Sequence, residues 1–413
     1  MKIAAVIAEY NPFHNGHLYQ LNQIRKEHDV DRIIVIMSGD FAQRGIPAIV
    51  DKHLRTRMAL ECGADLVLEL PVYYALGSAE YFAQGAVALI DKLGVADLLH
   101  FGSEAGDISL LTQCASTLAA EPDEYVVALK QYLQQGLSYP AARSHALSAY
   151  IQEDSNTLTK ALDSPNNILG IEYIKALLQR NSNVQPVTLL RSGSGYNETN
   201  ITQGQYASAN AIRSRLAHDS KIPDNLAEHM PHTVGKLLFN DSKKHFMCAN
   251  DFSSLLYYKL LEESRIGYAG YYDVTASFSD KLIKNLDAFT SFDDFCLLNK
   301  SKDITYNRIS RCLMHILLNM KQDILEALRA DNYIHYARIL GFRKKSSDLL
   351  SQIKANASIP LISKLADAYK ELEGLALVSL EADVYASQIY EGVKALKYKS
   401  PIQNEYTRQI VIV

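Results

Sequence analysis

Two histidines three residues apart, His14 and His17, flank a glycine where a short apolar run gives way to helical spacing. At a helix start, imidazole N–H donors share one face with unpaired backbone N–H groups and the positive end of the helix dipole. Gly16 between them carries no side chain, so a flat or bulky ligand can approach the backbone closely. This combination suits the oxygens of a phosphate, and better still a phosphorus centre gaining charge in a transition state. The spacing alone also fits two surface histidines or two metal ligands. A second group lies far down the chain, in Tyr206-Ala207-Ser208-Ala209-Asn210-Ala211-Ile212-Arg213-Ser214-Arg215-Leu216. Small hydroxyl and amide residues precede a helix there, and Arg213 falls within its first turns. Backbone donors plus a planar, permanently charged fork suit phosphate; the same residues also fit an ordinary N-cap with a solvent-facing Arg.

These groups need a frame. Apolar runs predict strands at Ile3–Ala8, Arg32–Met37, Asp65–Leu70 and Asp97–Phe101, with helices between them at Leu18–His28, Lys52–Cys62 and Ser78–Leu93. Such alternation implies right-handed crossovers and a parallel sheet covered on both faces. Ligands then bind outside the carboxyl ends of the strands. Three of those ends carry the His turn, Ser38-Gly39-Asp40-Phe41 and Gly102-Ser103-Glu104. Helical spacing follows at Tyr125–Leu133 and Ile168–Leu178, the latter opened by Asn166-Asn167, which read as N-caps or as ligand contacts. A further strand at Gln185–Arg191 runs into Arg191-Ser192-Gly193-Ser194-Gly195-Tyr196, Gly-rich but not the dinucleotide fingerprint. Pro223 marks a boundary between an α/β domain over 1–220 and a mainly helical domain over 221–413. In the second, helical patterns run over Phe252–Leu261, Ile309–Leu328, Tyr333–Leu340 and Lys364–Glu373, and the aromatic interval Tyr268–Phe278 has no clear assignment.

The 413 residues suffice for two such domains, and 48% hydrophobic and 21% charged residues describe an ordinary soluble globular protein. No apolar run approaches the ~18–20 residues of a membrane span, and no signal-peptide pattern is present, so a cytoplasmic protein is expected. Cys62, Cys114, Cys248, Cys296 and Cys312 are scattered and without C-x-x-C spacing, which argues against a disulfide framework and a structural zinc site. A net charge of −4 requires any nucleic-acid surface to be local. Basic clusters occur at Lys243-Lys244-His245, at Arg308 with Arg311, and at Arg343-Lys344-Lys345, with Tyr306, Tyr333 and Tyr336 near some of them; the first half offers few beyond Arg55 and Arg57. The absence of a Gly-x-x-x-x-Gly-Lys-Ser/Thr loop points to attack on an α-phosphate rather than γ-phosphoryl transfer.

His14-Asn15-Gly16-His17 resembles the signature of the His-x-Gly-His nucleotidyltransferase superfamily, and Glu9-Tyr10-Asn11-Pro12-Phe13-His14-Asn15-Gly16-His17 resembles one branch, the tRNA(Met) cytidine acetate ligases. The likeness continues through Ser38-Gly39-Asp40-Phe41-Ala42-Gln43-Arg44-Gly45, Asn166 to Tyr173, Ser208 to Arg213 and, more weakly, Tyr336 to Phe342. It implies a Rossmann-like nucleotidyltransferase domain followed by a mainly helical, tRNA-binding domain. It implies an ATP site comprising Ile7, Ala8, Glu9, Tyr10, Asn11, Pro12, Phe13, His14, Asn15, Gly16, His17, Leu18, Tyr19, Gln20, Gly102, Asn167, Arg191, Ser192, Ser208 and Arg213. In that reading His14 and His17 are catalytic at the α-phosphate, Arg213 with Ser208 holds the departing pyrophosphate, and Mg²⁺ accompanies the ATP. The resemblance further implies that acetate attacks ATP to give acetyl-adenylate, whose acetyl passes to N4 of the wobble cytidine of elongator tRNA(Met). The charge pattern makes Lys243, Lys244, Arg343, Lys344 and Lys345 candidates for holding the tRNA. A small-metabolite adenylyl- or cytidylyltransferase, or a non-catalytic RNA-binding protein on the same fold, remain the alternatives.

Overall fold

The structure, a computed structural model, describes residues 1–137, 139–151, 158, 162–191, 208–218, 224–239 and 245–413. The first half alternates β1 (Ile3–Ala8), α1 (Asn15–His28), β2 (Arg32–Ser38), α2 (Lys52–Glu61), β3 (Leu66–Leu70), α3 (Ala79–Leu93), β4 (Leu98–Ser103), α4 (Ile108–Ala120), α5 (Pro165–Gln179), β5 (Gln185–Leu190) and α6 (Ala209–His218). Alternate residues of these strands enter different cores because side chains on a strand have a period of two. Ile3, Ala5, Ile34 and Ile36 pack with α3, α4 and α5, whereas Ala4, Val6, Ile33 and Val35 pack with α1, α2 and α6. Burial on both faces is why β1 and β2 read as unbroken apolar runs. In space the order is β3-β2-β1-β4-β5, all parallel. The chain order reverses between β1 and β4, and a crevice opens at their carboxyl ends.

The sheet does not stop at residue 220. Ala337–Phe342, whose first four residues fall in the helix expected over Tyr333–Leu340, is instead β6, antiparallel to β3 with Leu66 opposite Phe342 and Glu69 opposite Arg338. Two short strands, β7 (Leu361–Ile362) and β8 (Val411–Ile412), pair parallel to β6. Helical spacing misleads here because β6 is buried on both faces, Arg338 included against Glu69, and so shows no strand alternation. The segment Ile309–Leu328 is two helices, Tyr306–Leu317 and Gln322–Ala330, separated where Asn319 adopts a left-handed φ of 55°. The Tyr268–Phe278 interval buries Tyr268, Tyr271 and Tyr272 and leads into a helix at Ala276. Beyond Glu373 runs the longest helix, Gly374–Tyr398, which carries no expectation above. The core facing α3 is continuous with side chains of the second half, including Phe252, Leu313 and Tyr390.

Several residues considered for a nucleic-acid surface are engaged elsewhere. Arg55 and Tyr336 are buried, Arg308 pairs with Asp273 at 2.9 Å, and the Tyr306 hydroxyl donates to Asp293 at 2.7 Å. Lys243 and Lys244 lie outside the described residues. None of the five cysteines forms a disulfide, and no helix among the described residues is long and apolar enough to cross a membrane.

The two halves are joined by buried charge. Lys52, fully buried on α2, donates to Glu69 at 2.8 Å and to Ser387 at 2.7 Å and lies 3.1 Å from Glu405. Arg338 lies 2.9 Å from Glu69 and donates to Glu405. Desolvating such ions is costly, so removing one partner costs more than the pair contributes. Arg338→Met should lower the unfolding free energy by about 3–5 kcal/mol, the range for an orphaned buried charge, as measured by urea denaturation.

Candidate functional site

The site begins at the end of β1, where Tyr10 takes a left-handed φ of 46° and the Asn11–Pro12 peptide bond is cis. A positive φ is rare for a bulky side chain; packing holds this one, with the Tyr10 ring 4.7 Å from Phe13 and 4.8 Å, edge on, from His17. His14 is the N-cap of α1. Its Nδ1 accepts the Gly16 N–H at 3.1 Å, while Nδ1 of His17 accepts the His14 N–H at 3.2 Å, a reciprocal capping box built from histidines. The rings stack at 3.7 Å. Because both Nδ1 atoms accept, the proton of each neutral ring sits on Nε2, and each ring presents a donor there. Burial, reinforced by Arg191 and Arg213, pushes His14 down to about 3. Burial and the neighbouring His14 hold His17 well below the ordinary value. The pair are neutral donors.

Around them lies a crevice lined by Ile7, Ala8, Glu9, Tyr10, Asn11, His14, His17, Gln20, Gly102, Arg191, Ser208 and Arg213 from the implied set. Three elements converge on it as expected: the His turn, the end of β4 and the start of α6. Ser208 caps α6, its Oγ accepting the Ala211 N–H at 3.1 Å. Arg213 donates to the Asn11 carbonyl at 2.7 Å and to Asn210 Oδ1 at 3.3 Å, tying α6 to the His turn. A Cβ at Gly102 would stand 3.1 Å from the Arg191 side chain, so the glycine lets that arginine lie close over the strand end.

Other implied residues lie behind the wall. Pro12, Phe13, Asn15, Gly16, Leu18 and Tyr19 do not line the crevice: Phe13 is buried beneath the rings, Asn15 donates to the Glu228 carbonyl, and Tyr19 accepts from Gln23. Asn167 is buried, its Oδ1 holding the Ala105 N–H at 3.0 Å; its neighbour Asn166 lines the crevice and donates to Glu104. Ser192 lies outside the described residues. The basic trio is at the other end of the sheet, since Phe342 pairs with Leu66 at the amino end of β3. There the Arg343 Nε donates to the Leu60 carbonyl, while Lys344 and Lys345 are exposed.

The wall also contains Gln43, Arg44, Phe82, Phe101, Asn166, Leu169, Tyr173, Ala209 and Asn210. Gln43 and Arg44 fall in the Ser38–Gly45 string and could have been found there. Phe82, Leu169 and Tyr173 sit on helix faces whose apolar spacing reads as core. Arg44, Arg191 and Arg213 give the crevice a cationic wall suited to polyphosphate. No group of three or more His, Cys, Asp or Glu among the described residues could hold a metal ion.

The histidine arrangement fixes a pH response. The unfolded chain binds a proton on each histidine below pH ~6.5, whereas folded His14 binds none until about pH 3. The unfolded state therefore holds more protons in that window, and the stability contribution of the pair is lost as pH falls below about 6.5. ¹⁵N spectra should show both rings protonated at Nε2 only, without titration between pH 5 and 8.

A family model described as HIGH Nucleotidyl Transferase matches residues 1–405. A tRNA(Met) cytidine acetate ligase of Acetivibrio thermocellus is 38% identical, with 100% of each chain covered. One of Caldicellulosiruptor saccharolyticus is 40% identical over 97% of this chain and 95% of its own. Among solved structures, apo Thermotoga maritima TmcAL superposes with a TM-score of 0.93 at 30% identity, both chains being covered completely. The form of that protein bound with alpha-thio ATP gives 0.89. Likeness that runs the full length of both sequence and fold places this chain in the tRNA(Met) cytidine acetate ligase family of HIGH nucleotidyl transferases.

Proposed function

We propose that this protein is an ATP-dependent ligase that activates acetate as acetyl-adenylate and transfers the acetyl group to N4 of the wobble cytidine of elongator tRNA(Met), giving N4-acetylcytidine. The observation that carries the chemistry is the histidine pair, two neutral Nε2–H donors stacked at 3.7 Å beside Arg191 and Arg213. An acetate oxygen attacks the α-phosphorus, a P–O bond forms, and the bond to the β-phosphate oxygen breaks to release pyrophosphate. His14 and His17 donate to the α-phosphate oxygens as they gain charge, already oriented by their backbone bonds. Arg213, the cap Ser208 and the N-terminal N–H groups of α6 receive the departing pyrophosphate. No covalent enzyme intermediate is needed, because in-line positioning and charge neutralisation lower the barrier. Mg²⁺ would accompany the ATP as its counter-ion, neutralising phosphate charge.

The acceptor base is single-stranded in its loop and can reach the crevice without melting a helix. The amine lone pair of cytosine is delocalised, which is why an activated acyl donor is required. The reading implies a cytoplasmic enzyme, with residues 1–220 supplying most of the ATP site and 221–413 contacting tRNA.

Incubating the protein with ATP, labelled acetate and unmodified tRNA should put label into N4-acetylcytidine, detected by mass spectrometry, with AMP and pyrophosphate as co-products. A strict requirement for acetyl-CoA would overturn this reading, and so would transfer of the nucleotide itself to a small metabolite. His14→Asn, which keeps an N-cap acceptor, and His17→Ala should each cut turnover by about 10²-fold or more, the scale of losing one oriented donor. Lys344 and Lys345 are exposed cations at the opposite end of the sheet from the crevice, and we take them as contacts for the body of the bound tRNA. Replacing both by Ala should reduce the slope of log affinity against log salt by up to about 2, with ATP affinity unaltered.

A further inference from the structure

We propose that Glu9 is the general base of the acyl-transfer half-reaction, taking the proton from the cytidine N4 as it attacks acetyl-adenylate; this rests on the function proposed above. The amine must lose a proton, and few groups in the crevice can accept one. Arginines are permanently protonated. Both histidines already use Nδ1 as an acceptor and carry their proton on Nε2, so they face the reaction as donors. Burial raises the Tyr10 phenol further above its ordinary range, which keeps it protonated. Among the described lining residues Glu9 is the one carboxylate.

Its placement is specific. The backbone carbonyl of Glu9 accepts from Arg55 at 2.6 Å, and its side-chain Oε1 accepts the Gln43 N–H at 2.8 Å. Two bonds therefore hold Glu9 between the end of β1 and the loop that follows β2, and Oε2 is left as the proton acceptor. A carboxylate beside a polyphosphate is unfavourable for ATP binding alone, so its presence in a crevice otherwise walled by arginines calls for a second step that uses it. In that step N4 forms a C–N bond to the acetyl carbon and the C–O bond to the phosphate breaks. AMP leaves with the bonding electrons, and the N4 proton goes to Glu9 and from there to AMP or water. The loop bond also offers a purely positional role, with Glu9 fixing Gln43 and Arg44.

Glu9→Gln separates the two roles, because the amide oxygen still accepts the Gln43 N–H but is not a base. The assay is single-turnover transfer from synthetic acetyl-adenylate to unmodified tRNA(Met), beside acetate-dependent exchange of labelled pyrophosphate into ATP. Glu9→Gln should slow transfer by about 10²-fold or more, the scale of general-base loss, and slow exchange much less. Its transfer rate should climb with pH as hydroxide replaces the lost base, and Glu9→Asp should recover part of the rate. Transfer by Glu9→Gln within a few-fold of wild type would overturn the proposal. Equal loss of both half-reactions, with a raised Mg²⁺ requirement, would also overturn it and make Glu9 a ligand of MgATP. Failure of the wild-type protein to transfer from acetyl-adenylate would remove the underlying reading, and the proposal with it.

Discussion

A single buried guanidinium organises the active end of this protein. Arg55, on α2, donates through Nε to the Val50 carbonyl at 3.1 Å and through its terminal nitrogens to the carbonyls of Glu9, Ser38 and Gly39. Arginine can do this because its donors form a rigid planar fork and its charge persists when buried. Four carbonyls take up four of its five N–H donors, at least one on each nitrogen. In return, the two loops leaving β1 and β2 are held to one point, and both form the crevice wall. Burial lowers the affinity of Arg55 for its proton, and nearby Asp40 opposes the shift.

From that anchor the chemistry is built outward by backbone bonds. The β1 loop delivers His14 and His17 to the first turn of α1, where each ring caps the backbone through Nδ1. One set of bonds thus stabilises a helix end and fixes the tautomer of two donors. Burial first, and the neighbouring charges second, keep both rings neutral. The charge is left to the arginines. This division suits a reaction in which phosphate oxygens gain charge only transiently.

The second half of the chain supports the site from below. Adjacent on α2 to Arg55, Lys52 reaches Glu69, Ser387 and Glu405, and the Tyr390 hydroxyl donates to the Ala48 carbonyl at 2.8 Å. Gly39 fits against this cluster, since a Cβ there would lie 2.5 Å from Glu69 Oε1. Gly45, at φ +77°, would clash with the backbone of Arg311 if it carried a side chain. The loop between β2 and α2 is therefore shaped by residues more than two hundred positions away. A boundary at residue 220 describes the chain's change of pattern but not the sheet, which β6 and β8 complete from the far end.

What the amino-acid sequence determined by itself was whatever depends on near neighbours. Strands β1 to β5 and helices α1, α2, α3 and α5 follow from apolar period, and the histidine turn follows from a cap whose partners are three residues apart. The start of α6 with Ser208 and Arg213 was legible for the same reason. Only the tertiary structure decided which charges are buried. Lys52, Arg55 and Arg338 look like solvated basic residues until Glu405, Glu69 and distant carbonyls are folded against them, and a charge's partner leaves no mark in its local sequence. The same holds for Ala337–Phe342, which is buried on both faces with its arginine inside and so shows no alternation, and for Phe82 and Tyr173, whose helix faces look like core until the crevice forms beside them. It holds too for Asn166 over Asn167: both open one helix, and only the fold of the Glu104 loop turns one inward and the other to the crevice.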